Sequence, residues 1–368
     1  MNRSYRSIWN EALGAWVAVS EIQSAHGKPS GSRVVATRGS ALTFAFGGSL
    51  SVLALAVQMA LGVVLLAASG NDVLAQYVAG NGTSTGTSST AIGGGGNPST
   101  AASTGNAVSA VAIGAGSRAN TTGTAVGVLS NAFGQASVAL GNSACAMGRT
   151  SIAIGSATAP GGSLASGTSS IAIGDGAKST ADNAIGFGTL ANASALGSVA
   201  IGTSAQASQA NAFAVGRFAN ALAENAVAMG TGAQVTGSSS VALGAGANVS
   251  AARSVAIGVQ STVTSVQDSF AIGYDAKAIG GIGSSGNGAG AIGASSVATG
   301  NNSLAIGTSA WAGGGVAGGV GTLNHATAIG TDSRAVALRS TAIGVRAQSE
   351  GSYATAIGGG GNALSSGT

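Results

Sequence analysis

Charge is scarce in this chain. Asp, Glu, Lys and Arg make up 7% of its 368 residues, against about 25% in an ordinary globular protein. The net charge of +4 is concentrated at the start: Arg3, Arg6, Lys28, Arg33 and Arg38 supply five of the fourteen basic residues. Beyond Gln76 nine basic and seven acidic residues are scattered singly. No basic stripe faces phosphates, which excludes a nucleic-acid binder. Cys145 is the only cysteine, so there is no internal disulfide framework, and it is read as a small core residue. Three prolines, with no Gly-X-Y period, exclude collagen. Aromatic residues amount to 4%, too few for a core built on Phe and Trp. What is present is glycine, 64 residues of it, with abundant Ala, Ser, Val and Ile. Such small, strand-compatible side chains suit a thin, closely stacked core.

The first 75 residues differ from the rest. The run Ala41 to Ala68 carries no charge and is long enough for a transmembrane helix. It follows a basic stretch and precedes small residues and a Gly/Ser/Thr-rich chain, which is the order of a secretory signal. Cleavage between Ala75 and Gln76 fits the small-residue rule, and Ala67-Ala68-Ser69 offers a second position. The alternative is a retained membrane anchor. This N-terminal segment is expected to be helical, and residues 76–89 to be a Gly/Ser/Thr-rich leader.

From residue 90 to 368 one pattern returns, apolar-Ala-apolar-Gly. Its closing glycines run from Gly93 to Gly358, and eleven of the seventeen steps between them are 14 residues. A period this short means a stacked solenoid. Within a unit, Val199 and Ile201 alternate with smaller residues, and after Gly202 so do Ala205 and Ala207. Period 2 predicts two short strands per turn, with glycine at the bend between them. Val and Ile are expected to point into the core. A single turn cannot bury enough to fold alone, so turns must stack. The Ala-rich second strand is too thin for a wide core, so part of the apolar surface is expected to be buried against other copies. Longer steps mark inserted loops near 94–108, 159–169, 279–289 and 310–327.

Two stretches carry a resemblance. Residues Met1, Asn2, Tyr5, Trp9, Asn10, Trp16, Ser20 and Glu21, then His26-Gly27-Lys28, resemble the extended signal peptide of type V secretion. That implies export through the inner membrane of a Gram-negative cell and passage across the outer membrane. The units Ser198-Val199-Ala200-Ile201-Gly202 and Ser254-Val255-Ala256-Ile257-Gly258, with related forms at 151–155, 170–174 and 240–244, are similar to the head repeats of YadA-type trimeric autotransporter adhesins. The resemblance implies an all-β, left-handed parallel β-roll, three chains side by side, displayed on the cell surface and binding host matrix proteins or cell receptors. In that family an Asn before the motif accompanies collagen binding. Here Gly197 and Arg253 stand there, which counts against collagen. Family members continue into a stalk and a membrane barrel. This sequence ends at Thr368 without heptads or barrel strands, so a fragment or a truncated product is expected.

Catalytic groups do not converge, and neither an enzyme, a cofactor nor a metal site is expected. His325 is a lone loop histidine, and Asp175, Asp182, Asp268, Asp275 and Asp332 lack the regular spacing of calcium-binding repeats. A hexapeptide-type acyltransferase needs a six-residue period, and an ice-binding solenoid needs regular Thr ladders; neither is present. Candidate ligand contacts are the two motifs, 198–202 and 254–258, and Trp311, placed by this reading in the last inserted loop. The function read here is an adhesin head that attaches a Gram-negative cell to host matrix or cells. The alternative is a self-association head for autoagglutination or biofilm, without a specific host ligand.

Overall fold

The computed structural model describes residues 5–10, 15–20, 77–79, 82–84, 88–93, 102–156, 162–264, 267–280, 288–314 and 325–364. Two units are distinguished, 1–51 and 52–368. The apolar run 41–68, both cleavage positions and most of the inserted loops near 94–108, 279–289 and 310–327 lie outside the described residues, as do 159–161 of the loop near 159–169.

In the first unit the expected helix is replaced, over the described residues, by two strands. β1 (Tyr5–Asn10) pairs antiparallel with β2 (Ala15–Ser20), in a register that sets Trp9 opposite Trp16. Tyr, Trp, Ile and Val crowd these stretches, and such residues favour a pleated backbone over a helix.

The second unit is a coil of two strands per turn. Among the described residues, one sheet consists of 19 three-residue strands, from Tyr77–Ala79 to Thr355–Ile357, and the other of 19 strands, from Thr83–Ser84 to Asn362–Ala363, all of two residues except the three-residue Ser103–Gly105. Every pairing is parallel and joins a turn to the next one along the chain. Val199 lies opposite Phe213 and Phe213 opposite Val227; Gln206 lies opposite Asn220. The backbone is satisfied in both directions along the stack. Phe213 donates its N–H to the Ala226 carbonyl at 2.8 Å, and Gly216 donates to the Ile201 carbonyl at 2.8 Å. Strand edges are thus covered everywhere but at the two ends of the stack, and the ends are where such a coil is open to pairing.

The coil starts earlier than expected. Tyr77–Ala79 pairs with Thr90–Ile92, and Thr83 with Ser103, so the leader already contributes a turn. The insertions are also narrower. Leu164–Ala165 and Trp311–Ala312 are regular short strands, and Ser103–Gly105 pairs in the same sheet with a shift of register. Glycine-to-glycine spacing had drawn the loops across them, because each step contains a short strand that two residues announce only weakly.

The core is made of alanine, which corrects the expected direction of the long strands. In Val199–Ile201 the middle residue, Ala200, is fully buried, and Val199 and Ile201 lie half-buried on the outside. The same arrangement holds at Ala214, Ala228, Ala242 and Ala256. The short strands add Ala193, Ala207 and Ala221, then Val235, Val249 and Val263, all with no exposed surface. The space between the two sheets holds methyl and isopropyl groups and nothing larger, so the bulkier residues take the other side of each long strand.

The bends explain the repeated serines and glycines. Ser137, Ser151 and Ser170, each just ahead of a long strand, are buried and donate Oγ–H to the carbonyls of Gly134, Gly148 and Gly167 at 2.7 Å. Each of these carbonyls also accepts the N–H of the same serine at 3.2 Å, so the hydroxyl adds a second, shorter bond that closes the turn. The closing glycine has no substitute. Gly202 has φ +129°, and a Cβ there would stand 2.5 Å from the Gly216 carbonyl oxygen of the next turn. Two residues after the closing glycine a second residue is left-handed, among them Leu190 and Phe218, and so is one at the opposite bend, past the short strand, among them Asn211 and Asn225. Asn tolerates that conformation, whereas Leu and Phe hold it only because the stacked neighbours fix the backbone.

One ion pair joins two bends. Arg253 contacts Asp268 through Nε at 2.7 Å and through a terminal guanidinium nitrogen at 2.9 Å, and also donates to the Gln267 side-chain oxygen at 2.7 Å. The guanidinium holds the Asp268 carboxyl below the usual carboxylate range. A depressed folded-state value means that the stabilisation exists above the unfolded pKa and disappears as pH falls through the folded one. The pair is exposed, so its effect on stability is small. In an NMR titration Asp268 is expected to protonate below the ordinary aspartate value, and Arg253→Ala to restore that value. An unchanged Asp268 titration in the variant would show that the ion pair does not hold in solution.

Candidate functional site: two outer faces

The two sheets turn unlike faces outward. On the three-residue sheet, the first strand positions form the column Val199, Phe213, Val227, Val241, Val255 and Phe270, and the third form Ile201, Val215, Met229, Leu243, Ile257 and Ile272. This is a continuous apolar face two side chains wide. Met229, Ile257 and Ile272 keep 38–40% of their surface exposed. Monomeric proteins rarely leave so long an apolar strip to water.

The short-strand sheet presents polar groups. Its outward positions run Lys178, Asn192, Gln206, Asn220, Gln234, Asn248 and Thr262 in register. Further along the same line come Lys277, Val297, Trp311 and Arg334. Trp311 is therefore a strand residue on this face, outside any inserted loop. Its Nε1–H donates to the Gly313 carbonyl at 2.8 Å, and the Arg334 guanidinium lies 5.9 Å from the ring centroid. Both contacts fix the indole while leaving it half-exposed.

The two sequence motifs divide between roles. Ser198, Ala200, Ser254 and Ala256 are fully buried. Ser198 Oγ accepts from the Ala195 N–H at 3.2 Å, and Ser254 Oγ from the Ser269 N–H at 3.2 Å. Gly202 and Gly258 form the bends, both with φ +129°. Only Val199, Ile201, Val255 and Ile257 present side chains, and these belong to the apolar face. Cys145 takes an outward, half-buried strand position beside Asn131 and Leu164, contrary to the expected core placement. Burial pushes its thiol up, away from a reactive thiolate. His325 sits at a bend with φ +67°, its N–H donating to the Asn301 carbonyl. Among the described residues no three His, Cys, Asp or Glu gather into a metal-binding group. The amide column was missed in the sequence, although Asn or Gln five residues past the long strand in five consecutive units is a legible signal.

Two family comparisons match this chain. The extended signal peptide of type V secretion systems matches residues 1–68. The YadA head domain repeat matches residues 120–144, the overlapping stretches from 165 to 276, 284–310 and 324–360, more than half of the chain. A search of curated proteins finds no match. An export signal of type V secretion thus precedes a parallel β-solenoid built of head repeats, and the chain belongs to the YadA-like trimeric autotransporter adhesins.

Proposed function

We propose that this chain is the head of a homotrimer that holds a Gram-negative cell to host matrix or host cells from its outer membrane. The carrying observation is the pair of outward apolar columns along the three-residue sheet. A coil whose own core is filled by alanine gains little burial alone. Three copies that set these columns together bury Val, Ile, Leu, Met and Phe side chains and leave the polar sheets outward. The assembled head then offers three identical polar faces, and three weak contacts on one particle give avidity without a strong single site. The family membership supports a binding rather than a catalytic role.

Trp311 is the side chain proposed for ligand contact. It is an aromatic group on the outward polar face, held in place by its own hydrogen bond and by Arg334. Trp311→Ala is expected to reduce adhesion to surfaces coated with matrix proteins, with an unchanged β-type circular-dichroism spectrum. Undiminished adhesion to every ligand of the parent removes Trp311 from the site. The whole reading is tested by presenting the purified chain to matrix proteins and cells and, in parallel, measuring association between heads. Head–head association without any host binding favours a role in autoagglutination and overturns the host-attachment reading.

A further inference from the structure

The amide column on the short-strand sheet has an unusual property. Asn192, Gln206, Asn220, Gln234 and Asn248 follow one another on five consecutive turns, in register and facing outward. None of the five side-chain amides has a hydrogen-bond partner within the described chain, although each carries two donors and an acceptor. In-register stacks of identical amides commonly satisfy one another along the stack. Alternating Asn with Gln offsets each amide from its neighbours by one methylene, and the groups stay open. Beside them runs a second line of hydroxyls, Ser194, Ser208, Thr236 and Ser250, interrupted by Leu222. A shallow groove of about 510 Å³ borders the strip at Thr236, Ser250 and Gln267.

We propose that this strip binds a neutral, extended, β-linked polysaccharide laid along the axis of the coil. The inference rests on the adhesin reading and names its ligand class. Three features select the ligand. Between Lys178 and Lys277 the outward column holds only uncharged side chains, so nothing there recognises an anionic or a cationic chain. Adjacent strands stand about 4.7–4.9 Å apart, so the amides repeat at that interval over a span of about 19 Å. A pyranose unit in an extended β-linked chain advances by a similar length, and each sugar then meets one rung. A peptide in the same place advances about 3.3 Å per residue, so its spacing drifts out of step with the rungs, whereas sugar hydroxyls on both edges of each ring keep one rung to one unit. Finally, amide side chains donate and accept at once, which matches the hydroxyls of a sugar. Each rung contributes little against water, and affinity comes from several rungs engaged together.

The test uses the full chain, with cellohexaose and chitohexaose as probes and an oligogalacturonate and a short polar peptide as comparators. The parent is expected to bind at least one of the neutral hexasaccharides and to prefer it to both comparators. The exposed pair Gln206→Ala and Gln234→Ala is expected to weaken that binding at least about tenfold, with circular dichroism and sedimentation unchanged. No binding of either hexasaccharide, equal binding of the acidic oligomer or the peptide, or an unaffected variant overturns the proposal. Adhesion to host surfaces measured alongside separates the two readings. Adhesion without hexasaccharide binding overturns this inference alone, and hexasaccharide binding without host adhesion upholds it and overturns the host-attachment reading.

Discussion

Gly230→Ala is expected to destabilise the middle of the coil by about 3 kcal/mol. Gly230 has φ +134°, outside the left-handed region that other residues visit, and an added Cβ would stand 2.4 Å from the Gly244 carbonyl oxygen and 2.6 Å from its carbon. Those atoms are backbone of the next turn, held by the Gly244 N–H bond to the Met229 carbonyl at 2.8 Å. Relief requires parting two rungs of the sheet, which strands buried backbone groups without partners. Gly232 is the internal control. It lies in the same bend with φ +67°, and a Cβ there meets nothing within 4 Å. Gly232→Ala therefore carries only the left-handed cost of about 1–2 kcal/mol, partly offset by the stiffer unfolded chain. A solenoid loosens locally, so the measurement is amide hydrogen exchange over residues 216–258 together with the melting curve. Equal loss of protection in both variants would show that the close approach of successive glycines does not govern the stack.

That glycine column is also why the architecture was legible. A backbone that passes its neighbour too closely for a Cβ must place glycine at a fixed interval, and Gly202, Gly216, Gly230, Gly244 and Gly258 record the period directly. The alternation of Val199, Ala200 and Ile201 likewise marks a strand. It does not say which side is inside. Assigning the larger side chains inward is sound for a wide core and fails here, where two sheets close on each other over methyl groups. The sign was present in a different form. Ala200, Ala214, Ala228, Ala242 and Ala256 do not vary, while the flanking positions range over Val, Ile, Phe, Met and Leu. Invariant small size along a stack marks the confined side. Trp311 was misplaced for a related reason. A two-residue strand carries too little pattern to be seen, so the residue fell into the loop that follows it. Ser198 and Ser254 looked like exposed motif residues because serine is usually exposed, yet each caps a turn inside the coil.

The inverted core gives the assembly its sharpest test. Ile201→Glu combined with Leu243→Glu is expected to convert the trimer into separate chains in sedimentation equilibrium. Both residues lie on the outer apolar column, three rungs apart, with Val215 and Met229 between them. Neither reaches the alanine core, so the coil has room to keep its fold when they change. In a trimer each substitution appears three times, around one axis. Every copy loses about 1.5–3 kcal/mol of burial per side chain and gains a carboxylate facing two like charges. Three copies cannot ionise six carboxylates in an apolar seam, and the contact opens instead. Gln206→Glu with Gln234→Glu adds the same charge at similar heights on the opposite face, and it is expected to leave the trimer intact. Dissociation by both pairs would mean that net charge rather than the apolar columns governs assembly. A parent chain that sediments as a monomer would mean that these columns meet some other partner. The predicted asymmetry follows from one geometric fact: the core accepts only alanine-sized groups on the long strands, which forces every larger residue of that sheet onto its outer face, the face proposed for assembly.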